Sequence, residues 1–183
     1  RSAQKILALE QIVSEFPNSE YADDALFQTG VTYQEIGQPS RAIEPLRRLV
    51  SQYKNSSDLV VPAYLRLGLI NYNLGNREAA INYYKLVFGN NPSPEEINIA
   101  LAALDEIYIP DYNFNDFSRD SLFFRAAESQ YENGNYQRAV ESYTNYLNQF
   151  PSGINVLTAH YHKAESHAVL RQYDQSLVHY DWV

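Results

Sequence analysis

The stretch that decides the fold is Phe123–Pro151, FFRAAESQYENGNYQRAVESYTNYLNQFP. It reads as two helices joined by a tight turn. Phe123, Ala126, Ala127 and Tyr131 recur at helical spacing and give the first helix one apolar face. Ala139, Tyr143, Tyr146, Leu147 and Phe150 do the same for the second. Gly134-Asn135 lies between them, where the chain reverses and positive φ is cheapest for Gly or Asn. Pro151 closes the second helix. A lone helical hairpin cannot bury both apolar faces, so it requires neighbours of the same kind.

The flanking chain supplies them. Tyr21–Ile36 and Ser40–Tyr53 form a hairpin turning at Gly37-Gln38-Pro39, and Leu59–Leu74 and Arg77–Phe88 form another turning at Gly75-Asn76. Gly30 and Gly68 each stand seven residues before a turn glycine; Ala42, Ala80 and Ala139 each stand five after one. Small residues there let two helices approach closely, a need that recurs in every unit. Arg1–Phe16 is one amphipathic helix ended by Pro17-Asn18-Ser19, so it reads as the second half of a hairpin. Ile154–Leu170 and Tyr173–Val183 form the last pair, with Arg171 in place of the turn glycine and Ser176 in place of the alanine. Pro45 inside the helix begun near Ser40 predicts a kink.

The register breaks between Gly75 and Gly134, which are 59 residues apart. Ser93-Pro94-Glu95-Glu96 is a helix start with a capping box, and the helix should run to about Tyr108. Pro110–Phe117 reads as irregular. Either this is a half-repeat with a projecting loop, or a second helix is absent. The expected organisation is a single solenoid fragment. It holds a truncated repeat at 1–17, repeats at 21–56 and 59–92, a half-repeat at 93–119, a repeat at 120–153 and a truncated repeat at 154–183. The chain reads as a piece of something longer.

Composition bounds function. Fourteen Lys and Arg against 22 Asp and Glu give a formal charge of −8. That disfavours nucleic acid, whose phosphates require concentrated cations. There is no cysteine, and no apolar run approaches the roughly 20 residues that span a bilayer. No phosphate-binding glycine loop or nucleophile elbow is present. Asp111–Asp116 imitates the start of a calcium loop, but Asp116 stands where Gly is needed and Leu122 where Glu is needed. His160 and His167 share a helix face at packing positions, and zinc would require further ligands. The expectation is therefore no enzyme, no metal and no cofactor.

The spacing resembles the tetratricopeptide repeat (TPR). In the third clear unit the matching residues are Phe123, Ala126-Ala127, Tyr131 (one place late), Gly134, Ala139, Tyr143 and Pro151. In the second they are Tyr64, Leu67-Gly68, Tyr72 (again one late), Gly75, Ala80, Tyr84 and Pro92; in the first Leu26, Thr29-Gly30, Tyr33, Gly37, Ala42 and Leu46. The resemblance implies an all-α fold, a right-handed superhelix of antiparallel helix pairs. It also implies a non-catalytic scaffold that binds a peptide or partner helix on the concave face. By that resemblance the binding residues are Phe27, Gln34, Arg66, Tyr72, Asn73, Phe124, Arg125, Tyr131, Tyr161 and His162. Chaperone-tail clamping by Lys and Asn is excluded, because those places hold Phe27, Val31, Leu65, Leu69, Phe124 and Glu128. The linker Phe16–Phe27 resembles that of bacterial envelope TPR proteins of the Tol–Pal and outer-membrane-assembly kind, implying a periplasmic or outer-membrane-associated protein. A rival reading is a glycan or peptidoglycan binder using the 16 tyrosines. Self-association through open solenoid ends is a further option.

Overall fold

The structure, a computed structural model, describes residues 1–108 and 116–183. Among the described residues it is all-helical: α1 (Ser2–Glu15), α2 (Ala22–Glu35), α3 (Pro39–Gln52), α4 (Val60–Asn73), α5 (Arg77–Val87), α6 (Pro94–Tyr108), α7 (Asp116–Glu132), α8 (Tyr136–Gln149), α9 (Val156–Val169) and α10 (Tyr173–Tyr180). The helices fall into two compact units, Arg1–Leu86 and Val87–Val183.

In the first unit α1 buries Ile6 and Val13, and the hairpins α2–α3 and α4–α5 follow. The glycines read as points of close approach are such points. A Cβ on Gly30 would stand 2.7 Å from Leu46 Cγ, and one on Gly68 would stand 2.6 Å from the Tyr84 ring. Ala42 and Ala80 are fully buried. Pro45 does not end its helix: α3 runs through it as one span, although proline offers no N–H to the carbonyl of Arg41.

In the second unit α7–α8 and α9–α10 are the hairpins. Ser176, in the alanine position, is buried and donates from Oγ to the carbonyl of Ala164 at 2.9 Å. The capping box at the head of α6 is formed: the Ser93 N–H donates to Glu96 Oε2 at 2.7 Å and the Glu96 N–H to Ser93 Oγ at 3.3 Å. α6 buries Ile97, Ala100, Leu101, Leu104 and Ile107, and its Asp105 pairs with Arg119 of α7. Asp116 and Phe117, read from sequence as irregular, belong to the first turn of α7. The calcium-loop imitation begins at Asp111, so most of it lies outside the described residues.

All four hairpin turns close the same way. Gly37, Gly75 and Gly134 take φ of 73°, 79° and 74°, and Arg171 takes 59° in the same place. The next N–H then reaches back five residues, from Gln38 to Tyr33, Asn76 to Asn71, Asn135 to Gln130 and Gln172 to His167, each at 2.8–2.9 Å. This is the left-handed helix cap, which satisfies carbonyls of the last helical turn. It also fixes which residue, four before the turn, faces inward. That residue is Tyr33, Asn71, Gln130 or His167, each buried. Tyr72 and Tyr131, assigned from sequence to the family's aromatic position one place late, are instead half-buried beside it. The inward place is held there by polar Asn71 and Gln130.

Candidate functional site

The first helix of each hairpin carries the residues that the sequence points to. In the first unit, α2 and α4 bring Phe27, Gln34 and Arg66 together. Arg66 Nη1 donates to Gln34 Oε1 at 2.9 Å, and its guanidinium lies 5.2 Å from the centre of the Phe27 ring. All three are half-buried, so one side of the group is open. Tyr72 is half-buried and Asn73 exposed at the end of α4; exposed Leu69 lies on the same helix.

In the second unit, α7 and α9 build a denser group. Tyr131 stacks on His162 with ring centres 4.4 Å apart and planes 6° from parallel. Its hydroxyl donates to Glu165 Oε2 at 2.6 Å. His162 Nδ1 lies 2.7 Å from Glu128 Oε1, so the imidazole donates there when that nitrogen carries the proton. Tyr143 of α8 donates to the same carboxylate. Burial, followed by the Glu128 hydrogen bond, raises the Tyr143 phenol above its ordinary range. The bond to Glu165, followed by burial, does the same for Tyr131. Tyr161 is exposed, its phenol raised chiefly by the nearby Glu165 charge, and its ring meets Tyr180 edge-on at 6.0 Å.

Two expected members lie elsewhere. Phe124 packs between Tyr143 and Tyr146 at 6.3 and 5.5 Å, an aromatic contact inside the hairpin. Arg125 turns its guanidinium toward Gly89, where an added Cβ would come within 2.8 Å of Nε. Conversely, Tyr143 and Tyr180 reach the cluster although they sit on second helices. Tyr143 reads from sequence as a packing residue, and its ring is one; only the hydroxyl extends to Glu128.

The histidines are also placed. His160 and His167 are buried as their spacing suggests, and His179 from α10 lies between them. His160 Nδ1 and His179 Nδ1 are 2.9 Å apart, and the His167 and His179 rings are 3° from parallel. Burial, helped by Lys163, His160 and His167, lowers His179 to about 4. Among the described residues no group of three His, Asp or Glu is arranged to hold a metal ion.

Two family models, each described as tetratricopeptide repeat, match residues 24–56 and 120–153 and residues 61–94, together more than half of the chain. The chain belongs to the tetratricopeptide repeat family. Among solved structures, a crystal structure of MamA matches over 96% of this chain and 82% of that chain, with 19% identity and a TM-score of 0.37. A putative kinesin light chain from Podosopora anserina with nearly identical TPR-like repeats matches over 98% and 84%, with 15% identity and a TM-score of 0.39. No curated protein matches the chain. TPR arrays generally mediate protein–protein interaction. No helix among the described residues is long and apolar enough to cross a membrane.

Proposed function

We propose that the chain is a non-catalytic scaffold that binds an extended peptide or a partner helix along the first-helix faces of its hairpins. One observation carries the reading. Each unit sets aromatic rings beside hydrogen-bonding side chains on adjacent first helices, held by one another and open on one side: Phe27, Gln34 and Arg66 in the first, Tyr131, His162 and Glu165 in the second. Preorganised rings and forked donors are what interface anchors require. Tyr33, Tyr64, Tyr84, Tyr143 and Tyr146 are buried, which counts against a tyrosine-lined glycan groove.

The test is in-cell crosslinking and capture with the full chain and two variants, Phe27→Ala/Arg66→Ala and Tyr131→Ala/His162→Ala, with circular dichroism as the folding control. A specific protein captured by wild type and lost from at least one folded variant supports the reading. Capture unchanged in both refutes it. Exposed Leu177, Val178 and Trp182 on the last hairpin make self-association the competing outcome; sedimentation velocity on the isolated chain separates it. Placement in a bacterial envelope rests on the Phe16–Phe27 linker, and protease accessibility in intact and osmotically shocked cells decides it.

A further inference from the structure

Beneath the first turns of α6, where it covers the α7–α8 hairpin, lies a cavity of about 210 Å³. The first unit has its counterpart, about 260 Å³ between α1, α2 and α3. Phe123, Gln130 and Arg138 line the one where Leu26, Tyr33 and Arg41 line the other. In the first unit the polar groups satisfy one another. Arg41 Nη2 donates to the Tyr33 hydroxyl at 2.9 Å, and that hydroxyl faces Glu10 Oε1 at 3.4 Å.

In the second unit the same posts are unmatched. Gln130 is 2% exposed, and its Nε2 donates to the carbonyl of Pro92 at 2.8 Å. Its Oε1 is buried with no hydrogen-bond partner. Arg138 has no hydrogen-bond or ion-pair partner among the described residues. Buried acceptors are rarely left so. Phe123, Ile97 and Ala126 supply the apolar part of the wall, and Ser93, Asn98, Glu141, Ser142 and Asn145 complete it.

We propose that this cavity binds a neutral aromatic hydroxyl group, the size of a tyrosine side chain. A benzene-sized ligand occupies an engineered cavity of roughly 150 Å³, so there is room here for one ring with one substituent. The group that completes the site must donate to Gln130 Oε1 and accept from the Arg138 guanidinium. A hydroxyl does both from one atom; an ammonium accepts nothing and a carboxylate donates nothing. A carboxamide does both but leaves the apolar wall uncovered. The ring covers Phe123 and Ile97, as the first-helix faces bearing Tyr131 and His162 play no part. The site is independent of the scaffold reading.

The test titrates the full ¹⁵N-labelled chain with p-cresol, with toluene and with N-acetyl-tyrosinamide. p-Cresol is expected to shift the amides of Ala126, Gln130 and Ser142, and to bind about fivefold more tightly than toluene, the worth of one net hydrogen bond. Arg138→Ala, at an exposed position, is expected to weaken p-cresol about fivefold with the melting temperature unchanged. Gln130→Met is expected to bring p-cresol and toluene to equal affinity. If N-acetyl-tyrosinamide shifts the same amides, the natural occupant is a tyrosine of a partner chain. If p-cresol enters and N-acetyl-tyrosinamide does not, the occupant is a free phenolic molecule. Equal binding of p-cresol and toluene by the wild type overturns the proposal. So does the absence of shifts at about 20 mM, above the range such a ring reaches, which would leave the cavity to water.

Discussion

Two tyrosine–carboxylate hydrogen bonds of the second unit have the same chemistry and different burial, and burial decides what each contributes. Tyr146 is fully enclosed; its hydroxyl donates to Asp120 Oδ1 at 2.7 Å and accepts from the Asn155 N–H at 3.2 Å. Asp120 is 5% exposed, and its other oxygen accepts from the Ile154 N–H at 3.0 Å. Burial, then the Asp120 bond, raises the Tyr146 phenol. Tyr146→Phe keeps the ring and removes two bonds. The bond to a charged acceptor contributes about 1.5–3 kcal/mol, and the half-buried Asn155 N–H left behind adds about 0.5–1, for a loss of about 2–4 kcal/mol. Tyr131→Phe removes the 2.6 Å bond to Glu165. Both partners there are half-buried, so water replaces the lost donor and the loss is about 0.5–1 kcal/mol. Hydrogen exchange read by mass spectrometry, with urea unfolding alongside, measures both. In Tyr146→Phe, residues 151–156 should exchange at least about 30-fold faster, since each 1.4 kcal/mol is tenfold. Equal losses in the two variants, or unchanged exchange over 151–156, would refute the argument from burial.

Gly68→Ala drives a methyl to 2.6 Å from the Tyr84 ring. It should cost about 2–3 kcal/mol in urea unfolding, against about 1 for Gly75→Ala, which meets nothing and only takes a left-handed φ. Arg171 holds φ 59° without being glycine, so Arg171→Gly should stabilise the last hairpin by up to about 1 kcal/mol, read as a rise in melting temperature. His179, lowered to about 4 when folded, takes up a proton near pH 6.5 when unfolded. The unfolded chain therefore binds more protons between these values. Stability is full above about 6.5 and falls as pH drops toward 4, by about 1 kcal/mol after discounting for the site's partial exposure. Urea midpoints at pH 7 and 4.5 should show it, with a smaller drop in His179→Gln.

The hairpins are legible in the sequence because a physical need writes the same residue type at the same spacing. Gly30 and Gly68 are small because Leu46 and a Tyr84 ring occupy the space where a side chain would stand. Ala42, Ala80 and Ala139 are fully buried between the paired helices, and in the fourth hairpin Ser176 fits the same place by donating to the Ala164 carbonyl. Even Arg171 reads as the turn residue from its place alone. The candidate face is less legible. Arg66 on Gln34 and Tyr131 on His162 join residues more than 30 apart through contacts that no spacing states. Arg125 and Phe124 share the helical phase of the face yet turn to Gly89 and to the Tyr143 ring. His179 joins His160 from another helix for the same reason.

The misplaced tyrosines had a different cause, and it bears on function. A reading by hydrophobicity prefers Tyr72 to Asn71 and Tyr131 to Gln130 as the inward residue. Counting back four from the left-handed turn residue prefers the polar one, and that count is the stronger constraint, because the cap hydrogen bond fixes the helix phase. Once a polar residue holds the inward place, its hydrogen bonds must be settled by neighbours. Asn71 settles them with the Leu67 carbonyl at 2.8 Å and Asn76 at 3.3 Å. His167 meets Gln172 at 2.7 Å and Tyr33 meets Arg41 at 2.9 Å. Of these four, Gln130 alone keeps a buried oxygen with no partner. It does so where α6 covers the α7–α8 hairpin, and where Arg138 stands beside the cavity. Gln130→Leu removes the unpartnered oxygen together with the donor to the buried Pro92 carbonyl, so it should cost about 1–3 kcal/mol in urea unfolding while abolishing the preference for p-cresol over toluene.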